Sequence, residues 1–252
     1  MIKRTVCFLL LIILSMSIVG CKKTEPNDIP TEETVETKTV ATPSESTPAI
    51  ETTAPLGESE LINSFIPLNQ RPELPTGCEI TSLTMVLNYY GFDADKCDLS
   101  DNYLLKGETG TVDFRKAFVG DPRIEENSFG CYAPVIVDTA NKYLLAKNAD
   151  MVAYDITNTE LEDLFLYINE KIPVIVWGTL DCAEGEYTVT WNVDGQDLRW
   201  FRPEHCMVLV GYDEHQVWVA DPMNGDIRAY ERELFKRSYE SLFKQAVVIR
   251  EK

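Results

Sequence analysis

Four polar residues in this chain have the types and positions that thiol-based amide chemistry requires. Cys78 lies at the start of a predicted helix, His205 precedes a predicted strand, Asp221 follows the next strand, and Gln70 lies eight residues before the cysteine. A cysteine nucleophile needs a base that takes its proton and later protonates the leaving group, and the histidine base needs a carboxylate or amide to orient it. A side-chain amide can stabilise a developing oxyanion together with the backbone N–H of the cysteine. The chain therefore offers one candidate for each role.

The stretch LPTGCEITSLTMVLNYYG predicts the helix that carries Cys78. Thr76 and Glu79 fit a T-x-x-E capping box, and Gly91 stands where a left-handed residue ends a helix. Apolar residues recur at helical spacing on one face: Ile80, Leu83, Val86, Leu87 and Tyr90. In the first turn of a helix, Cys78 should have a lowered pKa, because the positive end of the helix dipole stabilises its thiolate. A buried core thiol and half of a disulfide are the alternatives for this residue.

Only two histidines are present, and their positions differ. Residues 206–212 and 216–220 predict the two strands of a hairpin, with His215 in the solvated turn between them. His205 and Asp221 then lie together at the open end of the hairpin. A strand-edge histidine and an aspartate that only starts a turn before Pro222 are the alternative interpretations.

Gln70 is the candidate oxyanion donor, and Asn69 is its rival. Both lie in the loop FIPLNQRPELPTGC, upstream of the cysteine. A loop glutamine with no chemical role is the alternative, since most polar loop residues carry no chemistry.

The cysteines do not indicate a structural metal site. Once a signal segment with Cys7 is removed and Cys21 is lipidated, five remain: Cys78, Cys97, Cys131, Cys182 and Cys206. An odd number outside the cell leaves at least one free thiol, and up to two disulfides are possible among the other four. With no C-x-x-C pair and two histidines ten residues apart, we expect no zinc site and no cofactor.

The N-terminal region predicts a lipid-anchored protein. Residues 1–20 comprise a basic tip and a short apolar run that ends in Ile-Val-Gly before Cys21, as in a lipoprotein signal peptide. An uncleaved anchor helix is the alternative. Residues 21–60 are rich in Thr, Glu and Pro, which predicts a disordered acidic spacer, and residues 61–252 predict one folded domain. We therefore expect the domain to be tethered to the cell membrane and to face outward.

The net charge of −18 excludes several classes of partner. An acidic chain does not bind nucleic acid or adsorb to anionic lipid through its charge. We expect a monomer that meets the membrane through its lipid anchor alone.

The spacing Gln-(8)-Cys followed by a distant His-(16)-Asp hairpin resembles the papain-like cysteine peptidases of the bacteriocin-leader-processing (double-glycine) type. The resemblance is to the stand-alone secreted branch without a transporter, and its segments run through nearly all of residues 61–252, including PLNQRPELPTGCEITSLTMVLNYYG and PEHCMVLVGYDEHQVWVADPMNG. It implies that Cys78 is the nucleophile, His205 the base and acid, Asp221 the orienting residue and Gln70 the oxyanion donor. Related peptidases often have a shorter gap between glutamine and cysteine, so the loop at residues 71–74 must bulge.

The resemblance also implies an α+β fold in which the cysteine helix packs on an antiparallel sheet carrying the histidine and aspartate. Residues 160–171 predict a further helix and residues 173–177 a buried strand, and the loop GDPRIEENSFG is a candidate wall of the cleft. Three aromatic residues before the histidine strand are expected mainly to pack in the core: Trp191, Trp200 and Phe201.

The expected function is hydrolysis of a peptide, protein or cell-wall peptide bond through a thioester on Cys78. Two alternatives remain open. One is a non-catalytic surface module of the same fold. The other is a transpeptidase or cell-wall amidase.

Overall fold

A computed structural model describes residues 58–252 of the chain. The predicted signal peptide, Cys21 and all but the last residues of the predicted spacer lie outside this range. The described helices are α1 (Cys78–Tyr89), α2 (Lys96–Asn102), α3 (Ala133–Ala146), α4 (Leu161–Asn169) and α5 (Arg232–Ser241). The described strands are β1 (Glu60–Leu61), β2 (Lys106–Gly107), β3 (Phe118–Val119), β4 (Met151–Asp155), β5 (Val174–Thr179), β6 (Glu186–Val193), β7 (Gln196–Arg202), β8 (Glu204–Tyr212), β9 (Gln216–Asp221), β10 (Asp226–Glu231) and β11 (Ala246–Glu251).

The core is a seven-stranded antiparallel sheet in the order β10-β9-β8-β5-β11-β4, with β1 paired to β8. All of β5 is buried, and so is β8 from His205 onward, because helices pack against these central strands. The remaining strands form the antiparallel hairpin β6-β7 and the short parallel pair β2-β3. The predicted α+β class is confirmed.

Helix α1 begins at Cys78 and is buried through Leu87 on all sides, so it lies inside the domain rather than presenting one apolar face. A hydrogen bond from Ser82 Oγ to the Cys206 carbonyl, 3.2 Å long, joins it to β8. Gly91 follows the helix at φ +85°, as predicted. The nucleophile candidate is therefore held by a helix that is itself fixed in the core.

The predicted capping box at the start of α1 is wrong. The N-cap is Gly77 and makes no side-chain capping bond, while the Thr76 hydroxyl donates to loop carbonyls, including that of Ile124 at 3.1 Å. The carboxylate of Glu79 is buried and accepts a hydrogen bond from the backbone N–H of Cys131. A T-x-x-E pattern cannot show that both side chains have stronger partners elsewhere in the fold.

The predicted hairpin is confirmed as β8 and β9, with a register shift between Leu209 and Gly211. The expected strand at residues 173–177 is β5, and the expected helix at residues 160–171 is α4, shorter by one residue at its start and two at its end. The loop at residues 71–74 turns back on itself, since the N–H of Leu74 donates to the Gln70 carbonyl at 3.0 Å. Among residues 58–252, no helix has the length and apolar character needed to cross a membrane.

Candidate active site

His205 and Asp221 form a buried hydrogen-bonded pair at the open end of the β8-β9 hairpin. Their Nε2 and Oδ1 atoms are 2.7 Å apart, and the residues are 2% and 0% exposed. The two strands are joined by a short turn, so residues at their outer ends meet although sixteen positions separate them. Because Asp221 occupies Nε2, the imidazole has Nδ1 left for proton exchange.

Three hydrogen bonds hold Asp221 in its ionised form. Burial alone raises the pKa of this carboxyl, but bonds from His205, from the backbone N–H of Met223 at 2.9 Å and from Arg228 at 3.3 Å together lower it. Arg228 is held in turn by Asp181 at 2.6 Å. A carboxylate that remains charged can orient the imidazole and stabilise its protonated form.

Cys78 lies in the same cleft as His205 and Gln70 and is 7% exposed. Its Sγ is 3.3 Å from Oε2 of Glu79. The predicted lowering of its pKa is wrong in direction: burial raises the pKa of the thiol, and the nearby carboxyls of Glu79 and Glu204 raise it further. The helix start cannot compensate for two acidic groups this close. Cys78 is therefore a protonated thiol in the free site.

Gln70 is 1% exposed and faces the cleft at the point where the sequence places an oxyanion donor. Its Nε2 donates to the Pro75 carbonyl at 2.7 Å, and its Oε1 has no partner among the described residues. An amide nitrogen carries two hydrogens, so one N–H remains available to a ligand. Asn69, the rival candidate, is exposed and does not line the cleft, because its amide bonds the Asn224 carbonyl instead.

Two acidic residues beside the nucleophile were missed by the sequence interpretation. Glu79 follows Cys78 in α1, and Glu204 precedes His205 in β8. Burial raises the pKa of Glu79 to about 7, although bonds from its own N–H, from Cys131 and from Cys78 oppose the shift. Burial and the charge of Glu79 raise the pKa of Glu204 well above its usual range. One carboxyl of the pair therefore holds a proton at neutral pH. The sequence signal that could have identified Glu79 and Glu204 is their position directly beside Cys78 and His205.

The packing of Gly130 against this acid pair leaves no room for a side chain. A Cβ atom there would lie 2.4 Å from Glu79 Oε1 and 3.1 Å from Glu204 Oε2, and Gly130 has φ +141°. The backbone of the loop before α3 thus packs directly on the two carboxyls.

Cys78, Glu79 and Glu204 are also the only group of ligand-type side chains in residues 58–252 that lies close enough to bind a metal ion, with one atom of each within 4.8 Å of the others. Structural zinc sites use four protein ligands, and two carboxyls with one thiol supply three. The group thus differs from a structural zinc site and consists of an acid pair beside a thiol.

The walls of the cleft come from two loops and from β7. The predicted polar loop supplies Glu125, Ser128 and Phe129, and β7 supplies Trp200 and Arg202. Trp200 is 1% exposed, so it packs in the core as expected and also borders the cleft.

The other predicted residues lie apart from this site. The His215 side chain is 78% exposed in the hairpin turn, as expected. The five cysteines of residues 58–252 are free, which removes the disulfide alternative for Cys78 within this range. Cys131 and Cys206 are buried close to the acid pair, where burial raises the pKa of both thiols.

Comparison with known proteins gives consistent matches over the described domain. The model of the Peptidase_C39 like family matches residues 62–247. The uncharacterized protein YvpB of Bacillus subtilis strain 168 is 29% identical over 257 residues, covering 98% of each chain.

Two solved structures are also similar. A protein from Bacillus anthracis, whose assignment as a C39-like peptidase is provisional, is 28% identical with a TM-score of 0.70, covering 78% of this chain and 100% of that one. The peptidase domain of Streptococcus ComA, a bifunctional ABC transporter involved in quorum sensing, is 17% identical with a TM-score of 0.46, covering 75% and 99%.

The family match covers well over half of the chain and includes all four predicted site residues. With the buried His-Asp pair facing the same cleft as a cysteine at a helix start, the chain belongs to the Peptidase_C39 like family of papain-like cysteine peptidases.

Proposed function

We propose that this chain is a cysteine peptidase that hydrolyses peptide bonds outside the cell membrane through a thioester on Cys78. The observation that carries the proposal is the 2.7 Å bond between His205 and Asp221, buried in the cleft that also contains Cys78 and Gln70. A binding module has no need for a buried, oriented imidazole beside a thiol.

The proposed steps can be written atom by atom. Because the free thiol is protonated, attack on the substrate carbonyl requires that Nδ1 of His205 take the proton from Cys78. The second N–H of Gln70 and the backbone N–H of Cys78 would stabilise the oxyanion. The imidazolium then gives its proton to the departing amine, leaving an acyl thioester on Cys78.

Water completes the cycle. Nδ1 of His205 takes a proton from the attacking water, the thioester C–S bond breaks, and the thiol recovers its proton as the carboxylic acid product leaves. Throughout these steps Asp221 keeps its bond to Nε2 of His205, so Nδ1 transfers the proton in both halves of the reaction.

For the site of action we propose the outer face of the membrane, with a lipid on Cys21. The support is the sequence pattern of residues 1–21, which precedes an acidic, proline-containing stretch. The accessible substrates would then be peptides, proteins and cell-wall peptides outside the membrane.

The test uses the full chain, a peptide library and purified cell wall, with mass spectrometry of new termini. We expect new termini with the wild type and with Cys97→Ala, a half-buried thiol outside the cleft, and none with Cys78→Ala or His205→Ala. Equal products from Cys78→Ala would contradict the assignment. If the wild type binds library peptides but yields no termini, the chain is a binding module, and products joined to an added amine would indicate a transpeptidase.

A further inference from the structure

The loop that carries Gln70 packs on a buried lysine at the start of helix α2. Lys96 is 8% exposed, and its Nζ lies 2.5 Å from the Asn69 carbonyl, 3.0 Å from the Gln70 carbonyl and 2.9 Å from Oε2 of Glu73. An ammonium group has three hydrogens, so each hydrogen has one acceptor. Lysine is seldom buried unless its charge is paired. Here all three acceptors belong to one short segment, residues 69–73.

The bonds from Lys96 fix the backbone on both sides of Gln70. In the peptide group before the Gln70 Cα, the Asn69 carbonyl accepts from Lys96, and the Gln70 N–H donates to the Pro222 carbonyl at 2.8 Å. In the peptide group after it, the Gln70 carbonyl accepts from Lys96, and the Arg71 N–H donates to Oδ1 of Asn69 at 2.8 Å. Because each peptide group is planar, fixing both groups sets the direction in which the Gln70 side chain leaves the backbone.

Oxyanion stabilisation depends on that direction. Nε2 of Gln70 donates to the Pro75 carbonyl at 2.7 Å, and its second N–H has to reach the oxygen that becomes negative when Cys78 attacks. A donor is effective about 2.7–3.1 Å from that oxygen. A misplacement of about 1 Å can lower the rate about 100-fold. A side chain that fixes the loop can therefore affect the reaction without touching the substrate.

The surroundings of Lys96 argue against a role in its own helix. The N-cap of α2 is Asp95, whose side chain accepts from the Asp98 N–H at 2.9 Å, so the helix start is capped without the lysine. A cation in the first turn opposes the helix dipole. The side chain of Glu73 is 47% exposed, so its ion pair with Lys96 contributes little. The two carbonyl bonds to the Gln70 loop therefore account for most of the effect of this lysine.

We propose that Lys96 is a positioning residue for oxyanion stabilisation. It holds residues 69–73 in the shape that presents the second N–H of Gln70 to the oxyanion. Lys96 does not line the cleft, so it acts through Gln70 alone. This role rests on the proposed thioester mechanism, but the binding of an oxyanion can be measured without hydrolysis.

The test compares two reactions of Cys78 in the full-length protein. Alkylation by iodoacetamide displaces iodide from carbon and forms no oxyanion, so its rate reports on the thiol and its base. Addition of the thiol to the aldehyde N-acetylglycylglycinal forms a C–S bond, passes the thiol proton to His205 and places the aldehyde oxygen at the oxyanion position. This probe has no side chain that the cleft must accept. Its affinity is measured as protection of Cys78 from alkylation, followed by mass mapping.

Lys96→Met removes the three donors and keeps a long side chain. We expect about tenfold weaker protection by the aldehyde, while alkylation without aldehyde stays within about twofold of the wild type. Gln70→Ala should weaken protection about 100-fold. Because Lys96 acts through Gln70, adding Lys96→Met to Gln70→Ala should weaken it no further. Lys236→Met, which removes a lysine paired with Glu162 at 2.9 Å, is the matched control and should behave as the wild type.

Thermal unfolding of each variant checks its fold. If Lys96→Met does not fold, Lys96→Gln replaces it, since the amide nitrogen lies one bond nearer to its own backbone than Nζ does. If the folded variant binds the aldehyde as tightly as the wild type, or if its loss adds to that of Gln70→Ala, the proposal is wrong. Equal protection of the wild type and Gln70→Ala would also refute it, because Gln70 would then stabilise no oxyanion.

The two proposals fail separately. Aldehyde binding that depends on Lys96 through Gln70, without hydrolysis of any peptide by the wild type, would leave the positioning role and remove the peptidase function. Hydrolysis and aldehyde binding that are both unchanged in Lys96→Met would leave the peptidase and remove the role of Lys96.

Discussion

Replacing Glu79 by glutamine should make Cys78 a stronger nucleophile in the free protein. Oε2 of Glu79 lies 3.3 Å from Sγ, and the carboxyl raises the pKa of the thiol. Glutamine has the same shape and keeps an oxygen that can accept from the Cys131 N–H. The substitution therefore removes the charge while preserving the bond.

The size of the effect follows from the distance. At an effective dielectric constant of about 20, two unit charges 3.3 Å apart repel by about 5 kcal/mol. Glu79 has a pKa of about 7 and shares protons with Glu204, so it is only partly charged near neutral pH. We expect the pKa of Cys78 to fall in Glu79→Gln, so that its alkylation at mildly acidic pH becomes about tenfold faster or more.

The assay is the rate of iodoacetamide alkylation of Cys78 as a function of pH, followed by mass mapping of the labelled peptide. The wild type should label slowly at mildly acidic pH, and Glu79→Gln faster at every pH below the midpoint. Glu240→Gln, an exposed acid on α5, is the matched control and should behave as the wild type. A midpoint for Cys78 that stays the same or rises in Glu79→Gln would refute the charge argument. So would fast labelling of the wild type at acidic pH.

The same substitution should change how stability depends on pH. The folded pKa of Glu79, about 7, lies above its ordinary 4.5, so this group favours folding below pH 4.5 and that contribution is lost as pH rises through 7. The shift corresponds to about 3 kcal/mol. Urea unfolding at several pH values should show the free energy of unfolding of the wild type falling relative to Glu79→Gln over this window. Parallel curves for the two proteins would mean that burial does not raise the pKa of Glu79.

The remaining predictions concern other parts of the chain. His205→Ala should abolish peptide cleavage, whereas Asp221→Asn should retain partial activity, because Asp221 orients and stabilises the imidazole but transfers no proton. His215→Ala should match the wild type; cleavage lost with His215 and kept without His205 would overturn the assignment. Cys21→Ala should block signal processing and lipid attachment, measured by mass and by membrane fractionation; normal processing of the variant would remove the lipoprotein proposal. Gly130→Ala should lower the free energy of unfolding by about 1–3 kcal/mol or more, since a Cβ there meets Glu79; an unchanged urea midpoint would show that the acid pair can move aside.

The hairpin could be predicted because the sequence pattern that specifies it lies within one short, continuous segment. Two β-rich segments joined by a polar turn determine which residues meet at the open end, so His205 and Asp221 were placed together from spacing alone. The turn that brings Gln70 to the cleft was expected only through the family resemblance. Here the chain reverses within a few residues, as the bond from the Leu74 N–H to the Gln70 carbonyl shows.

The state of Cys78 could not be predicted, because it depends on burial in the fold and on a second carboxyl that is distant in sequence. Glu204 comes from β8 and Gly130 from the loop before α3, and neither has a spacing that relates it to α1. A helix start favours a thiolate only where no stronger charge is close, and the acid pair reverses that preference.

The pairing of β1 with the end of β8 determines how the domain would be presented on a surface. Glu60 pairs with Tyr212, whereas His205 lies at the other end of the same strand, about 24 Å away. A tether that joins the domain at residue 58 is therefore attached at the opposite end of the strand from the reactive histidine. In a lipid-anchored protein of the kind proposed here, shortening the segment before residue 58 would restrict the reach of the domain along the cell surface before it obstructed entry to the cleft.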